Sequence, residues 1–191
     1  MCGIVGFWQN HQVASPERLK SMNDAIFHRG PDAEGTYIED TLALGHRRLS
    51  ILDLSEHANQ PFHSPCGNYI LVYNGEIFNF QEFYPELKSK GYLFKTTSDT
   101  EVLLFLLMEY GFDVLSRLNG FFAFAFWDKT KKQLSLVRDR FGVKPLFYHQ
   151  NDMGFSFSSE PKGIFAGGID KEIDPSHLDE LFIYHLEFTT G

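Results

Sequence analysis

Cysteine is the second residue of this chain, in Met1-Cys2-Gly3-Ile4-Val5-Gly6. Initiator methionine is commonly removed ahead of a small side chain, which would leave a terminus holding a thiol and a free α-amine on one residue. A free α-amine titrates near pH ~7.7–8.0 and a free thiol near ~8.5, so nucleophile and base need no special tuning to work near neutrality. An N-terminal amine that serves the adjacent nucleophile is one form of covalent catalysis. A cysteine near a chain start can equally be incidental, and position alone does not decide between the two.

Three other segments carry the groups such a nucleophile needs. Tyr73-Asn74-Gly75-Glu76-Ile77 places an Asn-Gly pair after an apolar run. Taken alone, the pair reads first as a type I′ hairpin turn. Its chemical reading is an oxyanion hole, in which the Asn74 amide and the unhindered Gly75 N–H aim two donors at a developing negative oxygen. In Gly45-His46-Arg47-Arg48-Leu49-Ser50-Ile51-Leu52, strand alternation sets His46, Arg48 and Ser50 on one face and Leu49 and Ile51 on the other. Adjacent arginines are usually solvated, but a guanidinium at a strand end can grip a carboxylate through two parallel hydrogen bonds. The pleat points Arg47 and Arg48 oppositely, so only one of them is expected to serve. Ser98-Asp99-Thr100-Glu101 matches a helix capping box, with Asp99 in a first turn that favours negative charge. Ser98 can cap while Asp99 presents its carboxylate to a ligand ammonium. Together these groups describe a site for an α-amino acid whose side chain bears an acyl group, and glutamine is the obvious candidate.

The elements that must hold these groups are readable from periodicity. Residues 3–8 form a buried strand, and Ser15-Pro16-Glu17 opens a helix with Leu19, Met22, Ile26 and Phe27 at helical spacing. Strands are expected at 35–38 and 41–51, a loop over 55–67, a strand at 68–73 and helices over 80–90 and from Ser98 to Tyr110, the latter with Val102, Leu103, Leu106 and Leu107 inward. Residues 121–128 pair with 133–138, and 146–150 with 154–158, as two hairpins. Short helices are expected over 160–165 and, after Asp174-Pro175, over 176–186. Strands in groups and helices in groups, without steady alternation, imply an α+β fold of antiparallel sheets covered by helices. The run 121–127 is apolar throughout, so both of its faces are covered, as in two packed sheets between two helical layers.

Composition narrows the function. The 191 residues suit one domain, and 43% hydrophobic with 22% charged residues excludes a disordered chain. A net charge of −8 leaves no basic stripe for nucleic acid. Lys129-Thr130-Lys131-Lys132 reads as a solvated turn. The longest apolar run, 121–127, is far too short to span a bilayer, and Gln9, Asn10 and His11 interrupt any signal-like start, so no membrane is expected. Cys2 and Cys66 make no disulfide framework, which suits a reduced, cytoplasmic setting, and the Cys66 thiol is expected to be inert. The remaining histidines show no metal-ligand spacing, and His28 reads as a turn residue or one placed behind the site.

With these residues in view, the chain resembles the class II glutamine amidotransferases, whose domains are N-terminal-nucleophile hydrolases. Met1-Cys2-Gly3-Ile4, His28-Arg29-Gly30-Pro31-Asp32, His46-Arg47-Arg48-Leu49-Ser50-Ile51, Tyr73-Asn74-Gly75-Glu76-Ile77 and Ser98-Asp99-Thr100-Glu101 follow the family's order and approximate spacing. Arg-Gly-Pro-Asp with Arg-Leu-Ser-Ile is similar to the glutamine-hydrolysing asparagine synthetase branch. So are Leu118-Asn119-Gly120-Phe121-Phe122-Ala123-Phe124-Ala125, Arg138-Asp139-Arg140-Phe141-Gly142-Val143-Lys144-Pro145-Leu146 and Ser158-Ser159-Glu160.

The resemblance implies a four-layer α/β/β/α sandwich and a glutaminase. Cys2 would attack the glutamine carboxamide with its own α-amine assisting proton transfer, and Asn74 with the Gly75 N–H would hold the oxyanion. Arg48 would take the α-carboxylate and Asp99 the α-ammonium, with backbone of Leu49, Ser50, Ile51 and Leu52 and of Gly75 and Glu76 lining the pocket. No metal or organic cofactor is implied for this domain. Residues 1–191 would be the N-terminal part of a longer synthetase, with ATP and Mg used only in a C-terminal synthetase domain that receives the ammonia. A homodimer stays open. The family offers no direct chemistry for residues 138–144, which read as a charged hairpin corner for packing or for a partner domain. Ala166-Gly167-Gly168-Ile169-Asp170-Lys171 resembles a synthetase pyrophosphate loop but lacks its serines and its leading strand, and reads as a turn. Two rivals remain: a degenerate scaffold domain, against which the intact Cys2, Arg48, Asn74 and Asp99 count, and a hydrolase of another amide, which the Arg48 and Asp99 pair disfavours.

Overall fold

The computed structural model describes residues 1–50 and 55–172. Ile51 and Leu52 of the expected pocket, and the helix expected over 176–186, lie outside the described residues. Two antiparallel sheets form the centre. The first orders its strands β2 (Ala33–Glu39), β3 (Leu42–Arg48), β1 (Gly3–Gln9), β9 (Gly154–Ser158) and β8 (Phe147–Asn151). The second orders β4 (Phe62–His63), β5 (Tyr69–Ile77), β6 (Gly120–Asp128) and β7 (Gln133–Arg138).

Alternation along the strands separates three cores. On β1, Ile4 points between the sheets, where it meets Leu42, Leu44, Ile70, Val72, Ala123, Ala125 and Phe157. Val5 and Phe7 point the other way and pack under α1 (Pro16–Ala25) with Leu19, Met22 and Ile26. The outer face of the second sheet carries Leu71, Tyr73, Phe122 and Phe124 against α3 (Asp99–Tyr110). The result is the expected order of layers, α/β/β/α, with both faces of β6 covered. Each fully buried aliphatic side chain in these cores stabilises the fold by roughly 1.5–3 kcal/mol.

Local signals explain the helices and their limits. Ser15 caps α1 by accepting from the Arg18 N–H at 3.1 Å, and the helix stops at Ala25. Phe27 therefore falls in a following 3₁₀ turn and is exposed rather than inward, its ring beside the Arg47 guanidinium. α3 buries Leu104 and Phe105 as well as the four residues expected inward, and the Tyr92 and Phe94 rings pack on Phe105. The segment expected as one helix over 80–90 divides into a 3₁₀ turn, Phe80–Phe83, and α2 (Tyr84–Ser89). Within the loop expected over 55–67 lie a 3₁₀ turn, Glu56–Ala58, and β4. α4 (Pro161–Ala166) ends in the turn at Gly167 and Gly168, as read from the sequence.

Candidate active site

At one end of the two sheets a cavity opens between Cys2, Arg48, Asn74, Asp99 and Lys144, with Tyr73, Gly75 and Glu76 in its wall. Cys2 stands just before β1. Its sulfur faces the Leu49 backbone, accepting from the Leu49 N–H at 3.4 Å and donating to the Leu49 carbonyl at 3.6 Å. The Arg29 Nε donates to the Cys2 carbonyl at 2.9 Å, and Arg29 Nη1 is held in turn by Glu160 at 2.9 Å. Burial works against the Glu160 charge, but hydrogen bonds from Arg29, Lys162 and His28 outweigh it and hold that carboxyl down at about 2. Thus His28 sits behind the site, as its sequence context suggested.

The Arg29-Gly30-Pro31-Asp32 segment crosses the end of β3 and fixes it beside Cys2. A Cβ at Gly30 would lie 2.4 Å from the Arg47 backbone, so this close approach admits only glycine. The Asp32 N–H donates to the Arg48 carbonyl at 3.1 Å, and the Asp32 carboxylate accepts from the Ser50 N–H at 2.8 Å. Ser50 is consequently not brought to the cavity wall; its backbone donor is taken by Asp32.

The two arginines diverge as the pleat requires. Arg47 turns toward α1 and binds the Asn23 carbonyl, Asp24 and Glu34. Arg48 lines the cavity, with Nη1 donating to Asn59 Oδ1 at 2.6 Å and to the Ser55 carbonyl at 2.9 Å. These contacts orient a buried guanidinium at the strand end. His46, on the same face as Arg48, lies between the sheets with Nε2 3.2 Å from the Tyr73 carbonyl. Burial depresses its pKa to about 3, so it is neutral under ordinary conditions and acts as a link between β3 and β5.

The Asn-Gly pair is not a turn. β5 runs on to Ile77, and Asn74 and Gly75 pair with Ala123 and Phe122 of β6. A Cβ at Gly75 would lie 2.7 Å from the Phe121 carbonyl and from Phe122 Cβ, so close strand approach, not a positive φ, demands glycine here. Both backbone groups of Phe122 are engaged by Asp139: its N–H by the carboxylate at 3.2 Å and its carbonyl by the Asp139 N–H at 2.7 Å. The Gly75 and Phe122 pair is therefore a non-hydrogen-bonded one, and the Gly75 N–H points away from β6. The neighbouring donors of the same parity confirm the direction. The Tyr73 N–H reaches Gln60 Oε1 at 2.6 Å and the Ile77 N–H reaches Asp99 Oδ2 at 3.0 Å. Between them the Gly75 N–H faces the cavity. Beside it, Asn74 Nδ2 is buried with no hydrogen-bond partner among the described residues. A buried amide donor without a partner is rare in native proteins and calls for an explanation.

Asp99 opens α3 and closes the far wall. Ser98 caps the helix through the Glu101 N–H at 3.4 Å, but the box is only half formed. The Glu101 carboxylate turns to the N–H groups of Lys95 and Thr96, and the Ser98 N–H goes to Thr96 Oγ1 instead. Asp99 Oδ2 accepts from the Tyr73 hydroxyl at 2.7 Å and from the Ile77 N–H. Burial pushes the Asp99 carboxyl above the usual aspartate value despite those bonds, and nearby Glu76 pushes the same way. Such a group gains from a cation placed beside it.

Sequence reasoning missed the supporting residues. Tyr73, Gln60 and Arg29 hold the site's backbone, and their types alone gave no signal. Lys144 was read as part of a charged corner, yet it lines the cavity with only 7% of its surface exposed. The cause is Asp139, whose carboxylate gathers the N–H groups of Phe122, Phe141, Val143 and Lys144 at 2.9–3.2 Å. Arg138 closes the same loop by donating to the Lys144 and Gly142 carbonyls, both at 2.7 Å. Cys66 lies away from the site, exposed, with its sulfur 3.3 Å from Ser64 Oγ, a contact that lowers its pKa.

Sheet order and layers define a four-layer α/β/β/α sandwich with Cys2 at the mouth of its cavity. Its fold matches glutamine phosphoribosylpyrophosphate amidotransferase from B. subtilis with a TM-score of 0.75 over 87% of this chain and 44% of that one, at 22% identity. The family model for the glutamine amidotransferase domain matches residues 1–190, and the chain belongs to that family. Among curated proteins it is 41% identical to asparagine synthetase [glutamine-hydrolyzing] 1 of Bacillus subtilis (strain 168), covering 94% of this chain and 29% of the relative. It is 43% identical to a putative asparagine synthetase [glutamine-hydrolyzing] 2 of Methanocaldococcus jannaschii, covering 87% of this chain and 35% of that protein. The chain thus spans about a third of the length of these relatives.

Proposed function

We propose that this domain hydrolyses glutamine through Cys2, freed of Met1, and supplies the ammonia to an ATP-dependent asparagine-synthetase-type domain. The observation that carries the reading is the pair of unused donors, Asn74 Nδ2 and the Gly75 N–H, at a cavity wall shared with the Cys2 thiol. The sulfur attacks the side-chain carbonyl of glutamine, and its proton passes to the Cys2 α-amine. Asn74 and Gly75 hold the tetrahedral oxyanion in a position where donors count most, because they need no reorganisation. The C–N bond breaks, the amine returns the proton to the leaving nitrogen, and ammonia departs. Water then cleaves the γ-glutamyl thioester to glutamate and restores the thiol. Arg48 binds the α-carboxylate, Asp99 the α-ammonium, and the backbone of Leu49 and Glu76 lines the pocket.

Thiol, amine, backbone amide and water suffice for this cycle, so the domain needs no metal or organic cofactor. ATP and Mg belong to the acceptor domain, which would follow these residues in a longer chain of the kind the relatives represent. That assignment makes the protein part of asparagine biosynthesis. Free Cys2 and Cys66 suit a cytoplasmic location, and no helix among the described residues is long and apolar enough to cross a membrane. A scaffold role without hydrolysis would have no use for the orphaned Asn74 amide.

Steady-state glutaminase kinetics test the assignment. Asn74→Ala should lower kcat by about 10²–10³ with little change in KM, the loss expected of one oxyanion donor. Arg48→Ala should instead raise KM by at least about tenfold, from the loss of a charged pair to the ligand. An unchanged KM in Arg48→Ala would mean that the carboxylate end is misassigned.

A further inference from the structure

Lys144 is a buried cation that the proposed cycle leaves without a role. Its side chain packs over the Phe121 ring, with Nζ 4.5 Å from the centroid, and opens into the cavity that holds Cys2. Among the described residues its ammonium makes no ion pair or hydrogen bond, although its own carbonyl and N–H are taken by Arg138 and Asp139. A lysine held this way by a dedicated loop is aimed, not merely tolerated. Burial pulls its pKa below the usual lysine value and Arg29 pulls the same way, while Cys2, Glu76 and Asp139 oppose them. The cavity wall carries Lys144 and Arg48 as cations and Glu76 and Asp99 as anions beside the thiol, with Arg29 on the Cys2 carbonyl and Asp139 on the Lys144 N–H next to it.

We propose that Lys144 is a further positioning residue for the reaction: a fixed positive charge that stabilises negative charge on the Cys2 sulfur and on the oxyanion formed from it. Lys144 gives up no proton in this role. The thiol proton still goes to the α-amine, and the ammonium, seated over the Phe121 ring in a cavity that Tyr73 also lines, acts through its field alone, which is screened less there than in open water. The role rests on the glutaminase reading for its purpose, but it can be measured without glutamine.

The experiment alkylates Cys2 in a Cys66→Ser background at fixed pH and low ionic strength, comparing anionic iodoacetate with neutral iodoacetamide. The ratio of the two rates reports the local potential at the sulfur, and a purely structural change moves both rates together. Lys144→Met should lower the iodoacetate-to-iodoacetamide ratio by about threefold to tenfold, as expected for removing one nearby charge. Lys144→Arg should restore it. Lys144→Gln serves in place of Lys144→Met if the latter does not fold. A ratio unchanged in both neutral variants, or an Arg variant that behaves as Met does, overturns the proposal. A ratio that falls in Lys144→Met while the parent beginning at Cys2 releases no ammonia would sink the glutaminase reading and leave this one standing.

Discussion

Asp99 and Asp139 expose nearly the same small share of surface, 5% and 7%, yet Asp99 lies far deeper, and their carboxyl groups are pushed in opposite directions. For Asp139, burial favours the neutral acid, but N–H donors from Lys144, Val143, Phe141 and Phe122 outweigh it and hold the pKa below the ordinary value. For Asp99, the Tyr73 hydroxyl and the Ile77 and Thr100 N–H groups do not offset burial, and the pKa rises. One charge is completed by its own loop, and the other is left short of partners. The difference separates a carboxylate completed by its own loop from a deeper one with charge to spare for a ligand, and surface exposure alone would not have told them apart.

The comparison breaks most readily at Asp139. Asp139→Ala strands four N–H groups and should destabilise the fold by about 3–4 kcal/mol, measured by denaturant unfolding. A loss below about 1 kcal/mol would show that the loop does not depend on that carboxylate. Asp99→Asn keeps an acceptor for Tyr73 and Ile77 while removing the charge. It should leave the midpoint of unfolding unchanged or higher, yet lower kcat/KM for glutamine by about 100-fold through the lost ammonium contact. If stability fell and catalysis did not, the roles of the two aspartates would be reversed.

The smallest effect is the pH dependence of stability, and its sign differs at the two sites. Asp139 has a depressed folded pKa, so its stabilisation is present above about 3.8 and fades as pH falls through the folded value. Asp99 has a raised folded pKa, so its unfavourable contribution is full at neutral pH and disappears on acidification toward about 3.8. Relative to the parent, the deficit of Asp139→Asn should therefore shrink in acid, whereas any gain of Asp99→Asn should vanish there. Both curves run over the background of His46. Its folded pKa of about 3 removes stability as pH falls below about 6.5, by at most about 1.4 kcal/mol per pH unit.

What the sequence disclosed follows from which signals are local. Alternation along β3 separated Arg47 from Arg48 correctly, and the order of layers followed from apolar strands such as β6. The Asn74-Gly75 pair misled, because its turn propensity is local whereas its pairing with Ala123 and Phe122 is set by a strand nearly fifty residues away. The choice of donor free to face the cavity was settled further off still, by Asp139 engaging Phe122. Lys144 was hidden for the same reason: a lysine in a charged run reads as solvated until the loop that turns it inward is known. Phe27 was placed inward by continuing a helical period past the point where the helix ends.

The central claim is that Cys2 is the glutamine nucleophile, and one measurement meets it directly: ammonia released from glutamine by protein that begins at Cys2, beside Cys2→Ala and the form that retains Met1. The account predicts turnover by the first alone, since the alanine variant has no sulfur and the retained methionine locks the α-nitrogen in a peptide bond. Equal release by Cys2→Ala would contradict it.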